Sequence, residues 1–185
     1  MKGFLKIIGA VAVINILARL VGFAREQFIA IQYGTTIYSD SIVNAYTIPN
    51  FLYLVIGGAF TTAFISIYHK TGSSITEYIR RTFTTIVVTI TLVVLLFMAL
   101  ADPILMQFFH VKDPEEYEML RTLYYWMMPS TIVLVLSTWM SGILNVQGRY
   151  NLSAFSVLIY NATFLLISVV LSFVMGPIGM GVGAL

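Results

Sequence analysis

The chain has 185 residues, of which 59% are hydrophobic and only 10% are charged, with a formal net charge of +2. Ordinary soluble domains carry about 25% charged residues, so this composition marks an integral membrane protein. The small positive excess, without an arginine-rich run or a stacking platform, excludes a nucleic-acid partner, and the absence of cysteine excludes disulfide and thiol chemistry.

The basic start Met1-Lys2 to Lys6, followed by the apolar run Ile7 to Ala18, mimics a secretory signal. Arg19 follows the run with no convincing cleavage site, so residues 4–33 read as an uncleaved first span that stops at Gly34. The second span covers 38–68. Pro49 and the pair Gly57-Gly58 lie inside it and predict a kink or a broken helix. His69 to Glu77 is polar, holds Gly72-Ser73-Ser74 and reads as a loop. The third span, 80–101, contains the charge-free run Thr82 to Leu100, long enough for a hydrocarbon core of ~30 Å.

Asp102-Pro103 and Asp113-Pro114 then bracket Ile104 to Phe109, a short piece suited to an amphipathic turn of helix in the interface. The fourth span covers 119–146, with Pro129 inside it, and the fifth covers 152–175. After the turn at Gly176-Pro177, residues 178–185 begin a sixth span too short to cross a bilayer. The expectation is an all-α polytopic bundle, one transmembrane lobe over 1–185, belonging to a longer product. Lys2, Lys6, Lys70, Arg80, Arg81 and Arg149 fall on one side of the membrane, against Lys112 and Arg121 on the other. The excess of basic residues in short cytoplasmic loops places the N-terminus inside.

Arg19, Arg25, Glu26 and Asp40 sit in or beside these spans. A mid-bilayer charge costs at least ~2.5–3.5 kcal/mol, so such groups face a protein interior or a wet cavity. Asn15, Arg19, Gly22 and Glu26 recur at helical spacing and form one polar stripe. The competing explanation is a structural ion pair between packed helices. Asp40, Asn44 and Thr47 give the second span a polar face, and the same 4-3-4-3-4 helical spacing runs on through Phe51, Leu54 and Gly58. It serves either a substrate or close helix packing. Two arginines on one helix suit a phosphate, because guanidinium binds it bidentately and stays charged at any pH. Asp40 and Glu26 would close the site between transport cycles. The residues therefore point to an anionic, phosphorylated substrate moved across the membrane.

Other polar features are better explained by structure. Thr82, Thr85 and Thr89 are expected to bond back to their own helix. Asn161, mid-way along the fifth span, is expected to find a partner on another helix. Trp126 and Trp139 suit interface anchoring or packing. His69 and His110 fall on opposite sides of the membrane and cannot share a metal. No nucleophile elbow, paired-carboxylate site or phosphate loop with a lysine is present, so neither an enzyme nor a cofactor is expected.

Ala18-Arg19-Leu20-Val21-Gly22-Phe23-Ala24-Arg25-Glu26 resembles the opening helix of the MurJ/MviN family, the bacterial lipid II flippases of the multidrug/oligosaccharidyl-lipid/polysaccharide exporter superfamily. The resemblance continues through Tyr33-Gly34, Ser39-Asp40, Ile48-Pro49-Asn50 and Gly57-Gly58-Ala59-Phe60. It returns at Gly142-Ile143-Leu144-Asn145, Gly148-Arg149-Tyr150, Ala154-Phe155 and Asn161.

The resemblance implies a two-lobe flippase of the bacterial plasma membrane that works by alternating access on a lipid-linked glycan pyrophosphate among membrane lipids. Arg19, Arg25 and Asp40 match residues that line that family's central cationic cavity, with Glu26 and Asn44 beside them. The family's further cavity arginine falls at Tyr53, which leaves a flippase of another undecaprenyl-linked glycan open. The family's second lobe, its sodium site and its terminal lipid groove have no counterpart in the chain, and that lobe is an expected partner. A drug-exporter relative and a non-transporting membrane adaptor are the remaining alternatives. The arginine pair argues against cationic drugs.

Overall fold

A computed structural model describes residues 2–68 and 75–183, and those residues contain helices and no strand. Helix α1 (Lys2–Tyr33) ends at Gly34, whose φ of 58° few other residues adopt without strain. Helix α2 (Ile37–Leu52) carries Pro49, passes into a π-helical turn at Tyr53–Gly57 and resumes as α3 (Gly58–Tyr68). Proline cannot donate to the carbonyl one turn back and crowds it. The predicted break is therefore a widened turn in a continuous helical rod. Of the loop read over His69 to Glu77, residues 69–74 lie outside the described residues, and α4 (Ile75–Ala99) begins inside its last part.

Helix α5 (Ala101–Phe109) follows after a single residue, so the amphipathic piece is longer than the sequence suggests. Phe108 and Met106 on it are exposed. Helix α6 (Pro114–Met127) starts with Asp113 as its cap, the carboxylate accepting the Glu115 N–H at 3.0 Å and Pro114 filling the first turn. Pro129 divides the fourth span into α6 and α7 (Ser130–Val146). Helix α8 (Tyr150–Met175) ends at Gly176, and α9 (Pro177–Gly183) occupies most of the expected start of a sixth span, with 184–185 outside the described residues.

Among the described residues, five helical stretches are long and apolar enough to cross a membrane: Ile7–Tyr33, Ile37–Tyr68, Ile75–Ala99, Pro114–Val146 and Tyr150–Met175. The α6–α7 stretch is the hub and the most buried of the five. Helix α2 packs on α6, while the π turn, α3 and α4 pack on α7. Helix α8 joins this hub to α1 on its other side, and α9 folds back along α8 to reach α6.

Side-chain chemistry explains the tight places. Tyr124 and Tyr125 of α6 donate their hydroxyls to the carbonyls of Phe97 and Met98 at 3.0 and 3.1 Å. Those carbonyls lie in the last turn of α4, where helix amides run out. Phe64 stacks on Tyr78 at 5.4 Å and meets Trp139 edge-on at 5.5 Å, so Trp139 is a packing residue. Trp126 is exposed, as an interface anchor is. A Cβ on Gly179 would fall on the Leu171 backbone of α8, which explains the close return of α9. Outside the core, Asp102 pairs with Arg121 at 2.8 Å and accepts the Tyr117 hydroxyl, tying α5 to α6.

Candidate functional site

Arg25 is the charged group the fold takes inward. Its side chain is 15% exposed, while that of its neighbour Glu26 is 55% exposed. The guanidinium donates to Glu26 Oε1 at 2.7 Å. Its Cζ lies 5.1 Å from the Tyr46 ring centre on α2 and 4.8 Å from that of Phe164 on α8. Consecutive residues on a helix diverge by about 100°, so Arg25 turns toward α2 and α8 while Glu26 stays with the outer polar stripe.

Arg25 and Glu26 form one wall of a cavity of ≈150 Å³. Val43, Tyr46, Thr47 and Asn50 of α2 form the facing wall, and Phe164 joins from α8. Ile29, Ile42, Met127 of α6 and Met180 of α9 supply a buried apolar floor. The Thr47 hydroxyl donates to the Val43 carbonyl at 2.9 Å, but its oxygen can still accept. The site thus offers a fixed cation, a carboxylate and amide and hydroxyl groups over an apolar base. That combination can hold an oxyanion attached to hydrocarbon.

Of the residues predicted from sequence, Arg25 and Glu26 meet here, joined by Thr47 of the polar face. Arg19 and Asp40 are exposed and Asn44 is half-buried, and none of the three lines the cavity. Tyr53 begins the π turn, with its ring against Gly57, and is also outside the cavity wall. Asn15 donates to its own helix at Val11. Asn161 does the same at Val157, 3.0 Å away, where an interhelical bond was expected. Its Oδ1 is 4.0 Å from where a Cβ on Gly22 would stand, so the small residue on α1 gives it space instead of a partner. Thr85 bonds back to Arg81, as expected. Among the described residues no ion pair links α1 to another helix. Sequence reasoning missed Tyr46 and Phe164. The available signal was that Phe164 lies one turn beyond Asn161, on the same face of its helix.

Five candidate spans among the described residues, packed into one helical bundle, define a polytopic membrane protein. The structure matches a solved one titled "Lipid II flippase MurJ, inward closed conformation" with a TM-score of 0.79 at 23% identity, over 94% of this chain and 38% of that one. The family described as "Lipid II flippase MurJ" matches residues 29–185, and the chain belongs to it. It is 29% identical over 160 residues to the lipid II flippase MurJ of Burkholderia cenocepacia, 82% of this chain and 31% of that protein. It is 30% identical over 161 residues to a probable lipid II flippase MurJ of Rhizobium meliloti, 82% and 30% of the two. The probable lipid II flippase MurJ of Rickettsia prowazekii is 26% identical over 167 residues, 86% and 33% of the two. The chain spans about a third of the length of the curated relatives it matches.

Proposed function

We propose that the chain supplies the first lobe of a flippase that carries lipid II, the polyprenyl-pyrophosphate-linked peptidoglycan precursor, across the bacterial plasma membrane. The observation that carries this reading is Arg25, a cation drawn into an apolar lobe and turned to a cavity instead of to an ion pair between helices. The names of its relatives support the same reading over a drug exporter or an adaptor. It is a transporter function, with binding and release of one intact substrate and no bond broken.

Arg25 and Arg19 bind the pyrophosphate in this proposal. Asp40, Asn44 and Tyr53 line the wider cavity that opens toward a second lobe. The lobes rock about a site near the midplane, exposing it to each side in turn. Glu26 occupies Arg25 while no substrate is bound and yields it when a phosphate oxygen competes. The N-terminus is cytoplasmic. Tyr53, standing where the family has an arginine, favours a second reading in which the sugar or peptide of the lipid-linked substrate differs from that of lipid II.

The test is growth of a bacterium depleted of its own lipid II flippase and supplied with this protein from its full natural reading frame. Arg19→Ala and Arg25→Ala should each abolish rescue while the protein still accumulates in the membrane. Growth with both alanine variants would overturn the substrate role. Failure only through loss of the protein would mean that the charges serve folding.

A further inference from the structure

We infer that Tyr46 and Phe164 are positioning residues for Arg25, forming an aromatic cradle that presents the guanidinium edge to the cavity. The inference rests on the pyrophosphate reading above and extends it to the two residues that orient the binding group. The ring centres lie 6.2 Å apart and tilt by 46°. Arg25 Cζ is 4.8 Å from one centre and 5.1 Å from the other. A cation sandwiched between opposed rings would hold them apart by nearly the sum of those distances. The two rings therefore meet on one side of the guanidinium as adjoining walls, and the other side remains for Glu26 and the cavity.

This arrangement solves a particular problem. An arginine so little exposed needs compensation beyond the wet Glu26, yet a buried carboxylate would neutralise it and spoil it for an anion. The negative faces of aromatic rings stabilise a cation without occupying its N–H groups. They also fix the plane of the fork, which a bidentate oxyanion requires. The three residues stand on α1, α2 and α8, so the cradle exists only while those helices pack together. Tyr160, one turn before Phe164, packs on its ring with centres 6.1 Å apart and backs that wall. A lysine ammonium would also be attracted to the two rings, but it has no plane for them to orient.

The experiment uses the purified protein in detergent with ¹⁵N-labelled arginine, read by relaxation of the Arg25 Nε–H, and farnesyl pyrophosphate as the binding probe. Phe164→Leu keeps an apolar side chain and removes the ring. It should loosen the Arg25 Nε–H while backbone order stays, and weaken probe binding about 5- to 30-fold. Phe164→Tyr should restore both. Tyr46→Leu tests the other wall and serves if Phe164→Leu fails to fold. Unchanged Arg25 order in the leucine variants would overturn the inference. So would weaker binding without any change in that order, since the rings would then act directly on the ligand or on folding. If the unsubstituted protein ignores farnesyl pyrophosphate yet Arg25 loosens as stated, the cradle stands and the pyrophosphate reading falls.

Discussion

Replacing Arg25 by lysine separates recognition of an oxyanion by shape from recognition by charge. Lysine keeps the positive charge and can still reach Glu26, which is 2.7 Å from the arginine. It lacks the planar fork and offers a single point of attachment. The loss is one charge-assisted hydrogen bond to the ligand, about 1.5–3 kcal/mol. That is roughly 10- to 150-fold in affinity. The fold should suffer less. The Glu26 side chain is 55% exposed, and an ion pair with so wet a partner contributes only about 0–1 kcal/mol. Calorimetric titration of the detergent-solubilised protein with farnesyl pyrophosphate, beside its thermal unfolding, reads the two effects separately. We expect a large fall in affinity with a small change in midpoint. A lysine variant that binds as tightly as the unsubstituted protein would refute bidentate recognition. Unimpaired binding by Arg25→Ala would remove Arg25 from the site.

Other expectations follow from particular contacts. Tyr53→Arg should tighten binding of purified lipid II by roughly 10- to 150-fold if that lipid is the ligand, through one added hydrogen bond to a charged group. Unchanged or weaker binding, measured by the same titration, would favour a different lipid-linked glycan. Tyr124→Phe should lower stability by about 1 kcal/mol, because the Phe97 carbonyl loses its 3.0 Å partner in a part-buried place. Denaturation in mixed micelles that showed no loss would mean that another group takes over. With a cytoplasmic N-terminus, an impermeant thiol reagent on intact cells should label Gln107→Cys and leave Ser73→Cys unlabelled. The reverse pattern would invert the topology.

Much of the architecture was legible because bilayer physics is local. A charge-free run such as Thr82 to Leu100 needs no knowledge of its neighbours to be read as a span. Pro49 announced the irregularity of its span in the same way, through a missing donor, whereas the division of the fourth span at Pro129 was not read. Where two helices meet was not legible. Phe164 and Tyr46 are ordinary apolar-face aromatics until α8 is laid against α1 and α2. The stripe Asn15, Arg19, Gly22 and Glu26 was correctly periodic, but Arg25 lay off it and took the inward direction. Periodicity groups residues by face and cannot say which face finds an aromatic partner. Asn161 illustrates the same gap, since its own helix satisfies it before any neighbour does.

The π turn at Tyr53–Gly57 sets the rotational phase between the two halves of its rod. A turn of this kind accommodates one residue beyond the α-helical count, and one residue is about 100° of azimuth. The half before it aims Tyr46, Thr47 and Asn50 at the cavity, and the half after it aims Phe64 into the cluster with Tyr78 and Trp139. A regular helix through this segment could not satisfy both aims with the same sequence. Deleting a single residue there, Val55 for instance, would let a regular helix join the two halves in nearly their present phase, whereas inserting one would swing Phe64, now 1% exposed, out of its aromatic pocket. The stretch therefore tolerates a change of length in one direction: loss of one residue should be borne far better than gain of one.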